Sequence, residues 1–434
     1  MSAPATTEKK YLKWYQKLAY GSGDLASNCS YGLVSSFVLL YLTGTLGLDS
    51  AIIGSLMLAS KVLDGISDVI FGTLIDRTHS KLGKARPWML FGQVGVSLCL
   101  FLLFAIPAGS TTMQYIYFFI VYTALNAVFY TANGIAYSSL VALITKNNNE
   151  RVQLGSFRFM FAVVTNIFMG FAVTGMVEKF GSGAAGWRTT ALIFAIVGLV
   201  VNTISCLAVK ELPEEELGDN TSEAAEEGKA VAEEKKHGFA ETAKILVHNK
   251  YYLMILAIYI VYYIMSNLTT GAGVFCATYY WGDGSLLGQF SMMKMFPVII
   301  ALAIAPVLIK KTGSMQKVNF WGYAISSVLG IPMIYFAMQK NLSMFLLFMF
   351  IKGIFAGTLS GSLNALIAEA SGYTTRTTGV HMDGMMYSCS SLGVKVGGGI
   401  GTAAVGWLLK LGGFVGTATV QSESAIRMIF NLYI

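Results

Sequence analysis

Three charged residues stand where a bilayer would resist them. Lys61, Asp64 and Asp68 fall at i, i+3 and i+7 inside the otherwise apolar run SAIIGSLMLASKVLDGISDVIFGTLID, so on a helix all three leave from one face. A charged side chain at the centre of a span costs roughly 2.5–3.5 kcal/mol on insertion scales, so three unpaired ones would oppose insertion. They must face protein, water or an ion. Either Lys61 and Asp64 neutralise each other while Asp68 finds a helix partner, or the two carboxylates hold a monovalent cation or a proton.

Other polar residues recur at helical spacing. Asn126, Tyr130, Asn133 and Tyr137 follow i, i+4, i+7 and i+11, which sets aromatic rings between amides. Sugars suit such a face, because hydroxyls need hydrogen bonds while C–H faces stack on rings; ordinary interhelix hydrogen bonding accounts for the same pattern. Asp24 and Asn28 share a face at i, i+4. Arg158 is expected within a turn or so of a cytoplasmic helix end, where it could snorkel. Lys395 sits amid GVKVGGGIGTAAVG in the middle of a span, too deep to snorkel easily, and the glycines around it favour close helix packing. Gly72, Asp76 and Arg77 form GxxxDR at a helix end, expected to act as a gate latch or to be a solvated loop.

No enzyme signature accompanies these residues. The histidines at 79, 237, 248 and 381 are scattered, and no HExxH motif or GxxxxGK[ST] loop is present. The five cysteines have neither disulfide nor zinc spacing. No cofactor is expected.

The elements that must carry these residues are membrane helices. Of 434 residues 55% are hydrophobic and 12% charged, against roughly 25% charged in soluble domains, and the mean hydropathy is +0.61. Apolar runs long enough to span are predicted at about 20–46, 51–75, 86–107, 113–145, 155–178, 187–209, 250–280, 284–309, 317–338, 342–370 and 380–411. A twelfth begins near Ser424 and is expected to be cut short at Ile434. Lysine and arginine gather in the N-terminal segment and alternate loops, which predicts cytoplasmic termini and accounts for the net charge of +7 without a nucleic-acid partner. No removable signal peptide is read at the start. The acidic, small-residue stretch between the sixth and seventh spans is expected to solvate. The predicted organisation is a cytoplasmic segment 1–19, a six-helix bundle 20–209, a linker 210–249 and a second bundle 250–434. FGTLIDRTHSKLGK is faintly echoed by APVLIKKTGSMQK, as in transporters built from two related bundles.

YGSGDLASN at 20–28, DGISD at 64–68, DRTHSKLGKARPW at 76–88 and DGMMYSCSSLGVKVGG at 383–398 together resemble the glycoside-pentoside-hexuronide:cation symporters, the melibiose-permease-like branch of the major facilitator superfamily. The resemblance runs from Tyr20 to the end. It implies an all-α membrane protein of twelve helices in two bundles, working in the cell membrane by alternating access. The implied activity is import of a galactoside, pentoside or hexuronide with Na⁺, Li⁺ or H⁺. By this resemblance Asp64 and Asp68 bind the cation with help from Thr131, and Lys395 lies close to that site. Asn28, Tyr130 and Arg158 fall on sugar-site positions, to which Asp24 and Asn133 are added as candidates. The chain departs from melibiose permeases at Ser67, Gly134, Ala136 and Glu369. These departures argue against melibiose and leave the ion open. The expected partners are the glycoside, the coupling cation and the lipid bilayer, with the chain as a monomer. A lipid or drug-like substrate, or a non-transporting sensor, are the alternatives.

Overall fold

The computed structural model describes residues 9–213, 249–378, 383–418 and 420–434. The expected linker 210–249 lies almost wholly outside them, as do His237, His248 and His381 and the side chain of Cys389.

Two compact units appear, residues 1–219 with 415–418, and 220–414 with 419–434. In the first, α1 is Trp14–Gly21, α2 Gly23–Leu40, α3 Ser50–Asp76, α4 Arg86–Leu103, α5 Thr111–Thr123, α6 Thr131–Ile144, α7 Asn148–Lys179 and α8 Gly183–Leu207. In the second, α9 is Lys250–Phe275, α10 Leu286–Thr312, α11 Met315–Met338, α12 Leu342–Thr378, α13 Asp383–Leu411 and α14 Glu423–Tyr433. Among the described residues ten helical runs are long and apolar enough to cross a membrane, α1–α2 and α5–α6 each counting as one. The charge-bearing α3 lies where a further span is expected, and α14, where the twelfth is expected to begin, has 11 residues, fewer than a span needs.

Local chemistry sets many of the boundaries. Asp49, Ser110, Asn147, Asn249, Ser314 and Ser422 each accept backbone N–H groups at a helix start, satisfying donors that have no intrahelical partner. At α4, with Pro87 in its first turn, the cap comes from a distance: Glu211 accepts the amides of Lys84, Ala85 and Arg86. Asn147 starts α7 well before the apolar run near 155, so the helix enters further from the membrane core than hydropathy suggests.

Among the described residues three stretches widen to i→i+5 bonding: Tyr41–Thr45 after α2, Ala124–Tyr130 between α5 and α6, and Cys276–Trp281 after α9. Such turns are rare and frequent at functional sites. The first long helix of each half closes on one, a backbone echo of the weak sequence repeat.

Packing in the first unit sets α4 against α8 and α6, α2 against α7 and α8, and α3 against α5, α6 and the wide turn between them. At one end a core forms from Leu12, Tyr20, Met89, Leu140 and Leu154. Glu150 closes this end. It accepts the amides of Tyr11 and Leu12 and the hydroxyl of Thr145, and meets Lys17 Nζ at 3.0 Å. In the second unit α9 and α13 approach backbone to backbone. A Cβ at Gly397 would lie 2.5 Å from the Ile260 carbonyl oxygen, and one at Gly401 2.6 Å from that of Ile264.

Candidate functional site

The face of α3 meets α6 at one carboxylate. Thr131 Oγ1 lies 2.7 Å from Asp64 Oδ1, and Lys61 Nζ stands 3.4 Å from Asp64 Oδ2. Thr131 is the first residue after the wide turn, and its hydroxyl also lies 3.0 Å from the Asn126 carbonyl, five residues back. Its one proton can serve either acceptor. Asp68 lies one turn further along the same face and is half-buried. Two carboxylates and a hydroxyl supply the hard oxygen donors that a small monovalent cation prefers over nitrogen or sulfur.

A second cluster joins α2, α6 and α7. Arg158 Nε donates to Asp24 Oδ2 at 2.6 Å, and the guanidinium lies over the Tyr137 ring, 4.2 Å from its centroid. The Tyr137 hydroxyl is 2.8 Å from the Tyr20 carbonyl and 3.2 Å from Asp24 Oδ2. Asn28 donates to the Asp24 carbonyl and accepts from Asn166 Nδ2 at 2.9 Å. The Arg158 and Asp24 side chains keep 26% and 17% exposure, so the pair is neither sealed in the core nor free in solvent. Such a pair offers charge-assisted hydrogen bonds to an incoming hydroxyl.

Tyr31 connects the clusters. It follows Asp24 and Asn28 at i+7 and i+3 on α2, its ring stacks on Tyr130 with centroids 5.4 Å apart, and Lys61 Nζ sits 5.8 Å from its centroid. Sequence reasoning missed Tyr31, although its spacing from Asp24 was a signal. It also missed Asn166, which lies eight residues after Arg158 and so on the same face.

Two expectations are corrected. The stripe through Asn126, Tyr130, Asn133 and Tyr137 is not one surface. Asn133 is buried at 2% exposure, with its amide on the Met89 carbonyl at 2.7 Å and beside Asn202, while Asn126 is buried at 1%. Tyr130 and Thr131 meet α2 and α3, while Asn133, about 60° round the helix from Tyr130, packs against α4 and α8. Nor is Arg158 within a turn of its helix end: with α7 starting at Asn148 it lies about three turns inside the helix and bonds Asp24.

Asp76 and Arg77 are exposed at the end of α3, and a Cβ at Gly72 would meet open space. Lys395 belongs to the second unit, half-buried on α13. That unit also holds a cavity of about 630 Å³ between α9, α10, α11 and α12. Lys294 and Lys352, which sequence reasoning did not single out, line it, and Lys294 donates to the Thr270 hydroxyl at 3.1 Å.

Known proteins share this organisation. The family model described as MFS/sugar transport protein matches residues 19–434. The isoprimeverose transporter of Lactiplantibacillus pentosus is 26% identical, over 100% of this chain and 88% of its own length. The glucuronide carrier protein homolog of Escherichia coli (strain K12) is 24% identical, over 96% and 88%. Among solved structures, a bacterial homologue of the human lysosomal transporter Spinster, in an inward-facing and unoccupied conformation, superposes with a TM-score of 0.70 at 12% identity, covering 96% of this chain and 93% of that one.

Proposed function

The chain belongs to the MFS/sugar transport protein family, and from that premise we propose that it is a secondary active symporter that imports a glycoside together with a monovalent cation by alternating access. Membership and fold make it a multi-pass membrane transporter. The cation, the sugar, the monomeric state, the cell-membrane location and the cytoplasmic N-terminus belong to the proposal.

The observation that carries the cation part is the meeting of Asp64 and Thr131. They are 67 residues apart in sequence, yet the hydroxyl lies 2.7 Å from the carboxylate. In the proposal Asp64, Asp68 and Thr131 coordinate Na⁺ or Li⁺, or the carboxylates take a proton. Drawing α3 and α6 together through that ion fixes Tyr130 beside Tyr31, where a sugar ring can stack. Asp24, Asn28 and Arg158 then exchange hydrogen bonds with sugar hydroxyls. Binding of ion and sugar is reciprocal: whatever free energy one lends the other is returned in full. One charge crossing about 100 mV supplies roughly 2.3 kcal/mol, near a fiftyfold accumulation, so a single cation is enough.

The names of the relatives support a glycoside, one carrying isoprimeverose and another being a glucuronide carrier homolog. Vesicles loaded with a labelled glycoside panel under separately imposed Na⁺ and proton gradients test the reading. Uphill uptake is expected with one gradient, and Asp68→Asn is expected to equilibrate sugar without accumulating it. Normal uphill uptake and cation dependence in that variant would remove the coupling role.

A further inference from the structure

We propose that Lys61 is the resident counter-ion of the cation site: an ammonium tethered to α3 that occupies Asp64 until the coupling cation replaces it. The proposal rests on the symport reading.

Its geometry is that of a held but releasable ion. The Lys61–Asp64 distance is 3.4 Å, longer than the roughly 2.7–2.9 Å of a well-formed charge-assisted bond. The pairs of Lys17 with Glu150, at 3.0 Å, and of Arg158 with Asp24, at 2.6 Å, are both shorter. Asp64 itself stays in place when the ammonium leaves, because its other oxygen is held by Thr131. Lys61 has somewhere to go. Its Nζ already lies over Tyr31, 5.8 Å from the ring centroid, and an aromatic face attracts a cation. A four-carbon stem makes the exchange a rotamer change and not a backbone movement.

The charge balance explains why such a residue belongs here. A symporter must return empty, and a bare carboxylate at mid-span opposes that step by the same desolvation that opposes insertion. A tethered ammonium offsets the Asp64 charge on the return and yields that carboxylate to the ion on the forward stroke, Asp68 keeping its own partners. Because Tyr31 shares its face of α2 with Asp24 and Asn28, the displaced ammonium is delivered to the ring that borders the sugar cluster.

The test is competition. A tethered group acts at an effective concentration in the millimolar range, so removing it should tighten binding of the free ion. Full-length protein is titrated with NaCl and with LiCl against choline chloride at constant ionic strength, reading the thermal unfolding midpoint, and proton uptake is read with a pH dye. For whichever ion the wild type binds, Lys61→Gln is expected to bind it about tenfold more tightly or better. The same variant should keep sugar exchange while losing net uphill uptake. Lys61→Arg, which keeps the charge, is expected to retain wild-type affinity and serves as the folding control. Unchanged or weakened affinity in Lys61→Gln overturns the proposal, as does equal tightening in Lys61→Arg. Asp64→Asn separates the two levels. If it abolishes ion binding while Lys61→Gln changes nothing, only the counter-ion role falls; if it leaves ion binding intact, the symport reading of α3 falls as well.

Discussion

Glu150 and Asp64 are two carboxylates of the same unit, each with a lysine and a threonine hydroxyl beside it. Glu150 meets its lysine at 3.0 Å, accepts two backbone amides in addition, and has a side chain 3% exposed. Asp64 meets its lysine at 3.4 Å and has a side chain 15% exposed. The first is a rivet: two backbone amides, a hydroxyl and an ammonium fill its two oxygens, so it closes the end of the unit where residues 11–12, the start of α7 and α1 converge. The second keeps its lysine at arm's length and remains partly reachable. The same chemistry thus serves anchoring in one place and, in the proposal, exchange in another, and the packing around it makes the difference.

Breaking each carboxylate should therefore give opposite results. Glu150→Ala leaves two amides without their acceptor and Lys17 without its carboxylate, with Gln153 Oε1 at 2.8 Å as its remaining partner, and removal of one partner from a buried pair costs about 3–5 kcal/mol; a large fall in the thermal midpoint in detergent is expected. Asp64→Asn should cost only about 1 kcal/mol of stability, since an amide oxygen still accepts from Thr131. Equal destabilisation by the two variants would dissolve the contrast. Transport reverses the ranking. Asp64→Asn should forfeit the roughly fiftyfold accumulation that one charge across about 100 mV supports, measured as uphill uptake in vesicles.

The proposed sugar cluster sharpens the same distinction with a smaller effect. Arg158→Lys keeps the charge but loses the planar fork aimed at Asp24 and the flat contact with Tyr137, so uptake at low sugar should fall about tenfold, a loss of about 1.4 kcal/mol. Thr131→Val removes one hydroxyl from the carboxylate. A net hydrogen bond is worth about 1 kcal/mol, so apparent cation affinity should weaken about fivefold, while stability changes less than in Glu150→Ala.

The membrane spans were legible because apolar runs announce themselves one residue at a time. The face of Lys61, Asp64 and Asp68 was legible because a regular helix keeps its phase over two turns. What failed at Asn133 is the width of the stripe: three residues after Tyr130 it stands about 60° round the helix, enough to turn its amide to the Met89 carbonyl and Asn202 and away from α2. Arg158 was misplaced because hydropathy finds the lipid-facing length of a helix and not its polar beginning at Asn148. Glu150 and Glu211 went unseen for another reason. Their partners lie more than a hundred residues away in the chain, and nothing local distinguishes a carboxylate that caps a distant amide from one that meets solvent. Thr131 was reachable only through the family resemblance, since a lone threonine in an apolar helix carries no periodic signal.

The glycine seam of the second unit limits how that unit can deform. Where the backbone of α13 lies against the carbonyls of Ile260 and Ile264 with no side chain between, there is no cushion to compress and no gap to slide through. These two helices are welded into a single strut, so any bending during a transport cycle is left to the rest of the unit. A methyl group at Gly397 or Gly401 would act as a wedge driven into that weld.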